Sequence, residues 1–259
     1  MLKVNEHSGE EHIIEASNLG ICYRQYREKT VTLKDFVVNL FSGSKFKEFW
    51  ALRNLDLNVR RGEHLGLIGA NGCGKSTLLK AIASVLPARE GNISVHGMVT
   101  PLIELGAGFN AELTGRENIF LNGAIMGLSR QNMQERFDRI VDFAELEEHI
   151  DIPIRNYSSG MRTRLGFSVA ADIEPEILLL DEIFAVGDES FKLKCQVRMQ
   201  EIFDKGVTVI MVSHSLPLIA EYCERVIFMD KGQIVADGPT DEVIKRYKEH
   251  VSMQKKQAS

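Results

Sequence analysis

The sequence predicts an α/β domain with an α-helical lobe inserted in it. Short aliphatic runs bounded by turn residues alternate with longer helical patterns, the rhythm of a sheet joined by crossover helices. Three of the runs, Leu65–Ile68, Ile177–Leu180 and Val207–Val212, are almost wholly aliphatic. Strands of a parallel sheet buried on both faces need that composition. Between Ala111 and Ala171 the runs give way to helical spacing, for example Phe137, Ile140, Val141 and Ala144.

The remaining elements follow in chain order. Strands are expected at Ile13–Leu19, Leu52–Val59, Ile93–Val95 and Arg225–Met229. Val226–Asp230 and Gln233–Ala236 flank Lys231-Gly232 and read as a terminal hairpin. Thr240 is placed to cap a last helix, Asp241–Val251. This gives a polar tail over 1–12, a domain over 13–240 and a C-terminal helix and tail over 241–259. The domain divides into a core, 13–110 and 172–240, and the helical lobe, 111–171.

Within the core, 27–50 reads as an insertion. Leu33, Phe36, Val37, Leu40 and Phe41 share one face of a helix over Thr32–Phe41. Thr32 and Asp35 resemble a capping box, and Gly43 is placed to end the helix. Such a stripe suits packing on the core, and it also suits a surface helix that meets lipid headgroups or a membrane subunit.

Composition sets limits. The chain has 259 residues, 44% of them hydrophobic and 26% charged, which is globular and excludes disorder. A net charge of −5 lacks the basic footprint of nucleic-acid binding, so no nucleic-acid partner is expected. The exception is local: Arg24–Arg61 holds nine Lys/Arg against four Asp/Glu. Cys22, Cys73, Cys195 and Cys223 form no CxxC pair and no metal spacing, as expected of reduced cytoplasmic thiols. The N-terminus lacks a signal-peptide core, and no apolar run is long enough to span a bilayer. Work at a membrane would be done from its surface, through a partner.

Chemistry concentrates in one loop. Gly69-Ala70-Asn71-Gly72-Cys73-Gly74-Lys75-Ser76 fits GxxxxGK[ST], directly after the strand Leu65–Ile68 and before a helical run, Thr77–Val85. Glycines let successive N–H groups curl around phosphate oxygens, and the helix points its positive end at them. Lys75 is placed to neutralise β- and γ-phosphates, and Ser76 to ligate Mg²⁺. Cys73 occupies a variable position, contributing its backbone. Ile177–Asp181 supplies a buried strand ending in an acid suited to the Mg²⁺ shell, and Glu182 follows as a candidate base for the attacking water. His214 ends another buried strand 33 residues after Asp181, where it can meet the γ-phosphate.

These elements, with Tyr157-Ser158-Ser159-Gly160-Met161 lying ahead of Asp181, resemble an ABC-type ATPase domain. The five residues are similar to the family's LSGGQ signature, and Ser158 and Gly160 keep its physically important positions. The resemblance covers about Ile13 to Gly238. It implies a P-loop ATPase sheet core with a small antiparallel β region and an inserted α-helical subdomain. ATP and Mg²⁺ are the implied ligands, Gly69–Thr77 the phosphate site, and Ser158 and Gly160 the contacts to a nucleotide held by a second copy. Ala185–Asp188 falls where the D-loop lies. Tyr23 falls where the family stacks an aromatic on adenine, with Trp50 as competing candidate. The family's Gln at the start of the helical lobe is missing; Glu104 is the substitute.

That Gln-less segment, Leu113–Asn118 (LTGREN), YSSGM and the insertion together most resemble ATP-binding subunits of polysaccharide exporters. The implied assembly is a head-to-tail homodimer on two ATP, peripheral to the cytoplasmic face of the inner membrane through a separate multi-span permease, moving a lipid-linked polysaccharide. This resemblance favours a membrane-interface role for Thr32–Phe41. Some members carry an extra C-terminal glycan-binding domain, which is either lacking or truncated in this sequence. The alternatives are an ABC transporter of another cargo and a soluble, non-transport ABC protein. The latter usually has two ATPase units or a long coiled-coil insertion, for which 259 residues leave no room.

Overall fold

A computed structural model describes residues 12–25, 47–102, 106, 108–173, 175–181 and 188–257. The described strands are β1 (His12–Gln25), β2 (Lys47–Arg60), β3 (His64–Ile68), β4 (Glu90–Val95), β5 (Val99–Leu102), β6 (Ile177–Asp181), β7 (Thr208–Val212), β8 (Arg225–Asp230) and β9 (Gln233–Pro239). The helices are α1 (Lys75–Ile82), α2 (Gly115–Ile125), α3 (Arg130–Ala144), α4 (Ser159–Asp172), α5 (Glu189–Asp204), α6 (Leu216–Tyr222) and α7 (Thr240–Gln257).

Two sheets result. One is antiparallel, in the order β2-β1-β4; the other runs β5-β6-β7-β3-β8-β9, parallel except for β9. Alternation along β6 explains its aliphatic sequence: Ile177 and Leu179 enter the core facing the antiparallel sheet and α1, while Leu178 and Leu180 enter the core facing α4, α5 and α7. In β7, Ile210 and Val212 face one core and Val209 and Met211 the other. Each such fully buried side chain contributes about 1.5–3 kcal/mol.

The helical lobe has a core of its own, built from Ile119, Phe137, Ile140, Leu165 and their neighbours. Its entry is fixed locally. Thr114 caps α2 in a capping box with Glu117, whose backbone N–H donates to the Thr114 hydroxyl at 3.1 Å. Asn118, fully buried, donates to the carbonyls of Asn110, Leu113 and Thr114 and accepts from Asn110 N–H at 2.7 Å. That one side chain holds the loop in place of a secondary structure.

The structure differs from expectation at several edges. β1 and β2 form a ribbon longer than foreseen: His12 already pairs with Arg60, and Lys47–Trp50, counted with the insertion, open β2. Strand β5 was not foreseen, being four residues long with Pro101 inside; as an edge strand it tolerates the missing donor. Helix α7 extends to Gln257, and the Thr240 hydroxyl donates to the Cys223 carbonyl rather than capping the helix. The Thr32–Phe41 helix lies outside the described residues. Among the described residues no helix is long and apolar enough to cross a membrane.

Candidate functional site

The site begins where β3 ends. After Ile68 the chain turns through Gly69, at φ 149°, and Gly74, at φ 113°, into the first turn of α1. Neither position admits a side chain: a Cβ on Gly74 would lie 2.7 Å from Leu52 Cδ2 and 2.9 Å from the Ala51 carbonyl oxygen, and one on Gly69 would strike the Met229 carbonyl. The loop is therefore pressed against its surroundings, with its N–H groups free to curve around an anion. Cys73 N–H donates to Ala70 O at 3.2 Å, and Cys73 O accepts from Gly232 N–H at 2.8 Å. The β8–β9 turn thus braces the loop from below. The Cys73 thiol is buried.

Lys75 is only 7% exposed, with Nζ donating to Gly69 O at 2.7 Å and Ala70 O at 3.1 Å. Those close acceptors are neutral carbonyls. A buried ammonium so arranged gains most from an incoming anion. One residue on, the Ser76 hydroxyl donates to Asp181 Oδ2 at 3.2 Å. A hydroxyl and a carboxylate oxygen are hard donors that suit Mg²⁺, which takes one or two protein oxygens and fills its shell with phosphate and water. The residues fit the ion.

Around this loop lies a cleft of about 660 Å³. Asn71, Gly72, Gly74, Lys75, Ser76 and Thr77 form its floor, and Asp181, Val212 and the exposed His214 come from the carboxyl ends of β6 and β7. Ligands of parallel sheets gather at such strand ends. The mouth is aromatic, made by Tyr23 and Phe49. Tyr23 OH lies 3.4 Å from Thr77 Oγ1. Trp50 is not among the lining residues: its ring lies under the Arg53 and Arg89 guanidinium groups, 5.0 and 5.9 Å from its centroid. Glu182 and Glu104 lie outside the described residues, as does Ala185–Gly187.

A second hollow of about 660 Å³ opens at the N-terminus of α4, lined by Ser158, Ser159, Gly160, Met161, His149, Arg164 and Asp188 among others. Ser158 is the N-cap, its Oγ accepting from Met161 N–H at 3.1 Å. Tyr157 turns inward, 3% exposed, and donates to His149 O at 2.7 Å. Burial pushes its phenol up to about 12. Arg164 binds Glu145 at 2.7 Å and also Asp188, and covers the Phe191 ring at 5.1 Å. Asp188 caps α5; its carboxylate sits below the usual range because it accepts from Phe191 N–H, with Arg164 adding to the effect. Arg164 thereby fastens the first turns of α4 to the N-cap of α5. The two hollows share no lining residue, so Lys75 and Ser158 of one chain serve different clefts.

Three contributors escaped sequence reasoning. Phe49 was counted with the insertion, and only the β1–β2 register shows where it faces. Arg164 meets partners 19 and 24 residues away in sequence, which no local pattern marks. Gly232 was visible as a turn residue, but its bond to Cys73 needs the assembled sheet.

Residues 52–185 match the ABC transporter family. The chain is 42% identical to an O-antigen export system ATP-binding protein of Klebsiella pneumoniae, over 92% of this chain and 98% of that one. It is 41% identical to a teichoic acids export ATP-binding protein of Levilactobacillus brevis, over 88% of this chain and 62% of that one. Among solved structures it resembles a dimeric, post-hydrolysis ATP-binding cassette bound to ADP and Pi, with TM-score 0.68 and 20% identity over 88% of this chain and 98% of the other. An ATP-binding subunit of an ABC transporter superposes with TM-score 0.70 at 24% identity, over 91% and 93% of the two chains. At those identities the structural likeness speaks to the fold.

Proposed function

This chain belongs to the ABC transporter family, as an ATP-hydrolysing ATP-binding subunit of its polysaccharide-exporter group, and we propose that two copies close head to tail on two ATP to drive export of a lipid-linked polysaccharide. The observation that carries the reading is the match along nearly the whole length of an O-antigen export ATP-binding protein. The separation of the Lys75 cleft from the Ser158 hollow supports closure between two copies.

In the proposed cycle the Lys75 ammonium leaves the Gly69 and Ala70 carbonyls for the β- and γ-phosphates. The N-terminus of α1 faces the same charge. Ser76 and Asp181 hold Mg²⁺, which when bound offsets phosphate charge. Ser158 and Gly160 of the second copy close over the γ-phosphate with the N-terminus of their α4. Glu182 takes a proton from water as the water oxygen bonds to the γ-phosphorus and the bond to the β–γ bridging oxygen breaks, releasing ADP and phosphate, while His214 donates to a γ-phosphate oxygen. Tyr23 stacks on adenine. A separate multi-span permease holds the pair at the cytoplasmic face of the membrane and carries the cargo.

The test is co-purification with any multi-span membrane protein encoded beside this chain, followed by ATPase assay with and without lipid-linked glycan. A stable complex with glycan-stimulated turnover is expected. No association, or turnover indifferent to glycan, overturns the exporter reading.

A further inference from the structure

Tyr23 and Phe49 are directly opposed residues of the antiparallel β1–β2 pair, and the next pair along is Cys22 with Trp50. Opposed residues share a face of a sheet and successive residues alternate between faces. The register therefore sends Phe49 to the same side as Tyr23 and Trp50 to the other. Both predictions hold: Tyr23 and Phe49 line the phosphate cleft, while the Trp50 ring sits beside Gly20, under Arg53 and Arg89.

Phe49 is 52% exposed, a large apolar ring left in water at the mouth of a cleft whose floor is glycine, lysine and hydroxyl. Tyr23 beside it is 38% exposed. Apolar surface next to polar floor is what a ligand with an anionic end and a flat aromatic end would cover. Around the two rings the lining is Ala51, and Tyr23 OH is already beside Thr77 Oγ1.

Resting on the reading that this cleft holds a nucleoside triphosphate, we propose that Phe49 is a base-binding residue, forming with Tyr23 a two-ring platform that holds a purine by stacking. Stacking accepts any base with a π-face. GTP is then bound about as well as ATP, and the phosphate end is held independently of the rings.

The experiment is calorimetric titration of the full chain with Mg-ATP, Mg-GTP and Mg-tripolyphosphate. Phe49→Ala should weaken ATP and GTP alike, by roughly 5- to 150-fold, the range for alanine in a base–aromatic stack. Tripolyphosphate affinity should not change, Phe49→Trp should restore nucleotide binding, and Trp50→Phe should alter none of the three. Unchanged ATP affinity in Phe49→Ala, or an equal loss for tripolyphosphate, overturns the role of Phe49. A wild-type preference for ATP over GTP beyond about tenfold overturns selection by stacking alone. Lys75→Ala separates the two levels: if it leaves ATP and tripolyphosphate affinities intact, the nucleotide reading of the cleft itself is what fails.

Discussion

The Ser76 hydroxyl donates to Asp181 Oδ2 at 3.2 Å, joining the first turn of α1 to the end of β6 across 105 residues of chain. Two oxygens that suit one hard cation are thus brought together by a bond between the elements that carry them. Asp181→Asn keeps the shape and removes the charge. The Mg²⁺ concentration for half-maximal ATPase activity should rise roughly tenfold or more, since even outer partners of a metal site are worth that much. Nucleotide binding without Mg²⁺ should change little. A Mg²⁺ titration of turnover checks it, and an unaltered midpoint would remove Asp181 from the ion.

Glu182 follows Asp181 in sequence and is the proposed base. Glu182→Gln should lower turnover by about 10²–10⁴ while leaving ATP affinity intact. Single-turnover hydrolysis beside equilibrium binding separates the two, and near-normal hydrolysis would exclude this carboxylate.

Because Lys75 and Ser158 line different hollows, the proposed closed pair would take one from each copy. Lys75→Ala and Ser158→Arg should each be inactive alone. Mixed before ATP is added, they should recover part of the wild-type rate, since each mixed pair keeps one complete site. Recovery no greater than the sum of the separate variants argues that a single chain completes its own site.

Burial holds the Tyr157 phenol at about 12, above its usual 10.0, so the folded state keeps a proton that the unfolded chain releases. The stabilisation is whole below pH 10 and falls as pH rises toward 12. Buried Cys195 and Cys223, also pushed to about 12, act in the same direction from pH 9 upward. Tyr157→Phe should therefore flatten the alkaline fall in melting temperature without abolishing it. At neutral pH it should cost about 1 kcal/mol for the lost bond to His149 O. Identical alkaline slopes would mean that the phenol titrates freely.

Arg225 binds Asp237 through two nitrogens, at 2.6 Å each, and Glu63 at 3.0 Å, and donates to Asn58 O at 2.9 Å. Glu63 is only 12% exposed at its side chain, so Arg225→Met leaves it without this partner, at a cost of about 1–3 kcal/mol. Urea unfolding checks the figure. The cluster sits at the amino end of β8, the opposite end of the sheet from the P-loop, and ATP affinity should survive.

What the sequence made legible was whatever depends on near neighbours. The aliphatic runs of β3, β6 and β7 announced a sheet buried on both faces, and GxxxxGK[ST] between a strand and a helix announced the cradle. Phe49 was hidden because strand register is a two-strand property, and its assignment to the insertion masked even its alternation with Trp50. Arg164 was hidden because its carboxylates arrive from the end of α3 and the start of α5. Strand β5 was too short and too proline-marked to stand out from turn sequence.

The brace from Gly232 to Cys73 also sets an order of events during synthesis. The glycine loop leaves the ribosome well before both sheet neighbours of its strand, β7 and β8, and the turn beneath it. A nascent chain halted before β7 carries the whole phosphate motif in sequence but neither the strands that flank β3 nor the Gly232 brace. The shape of the phosphate cradle therefore waits on strands made long after its own sequence.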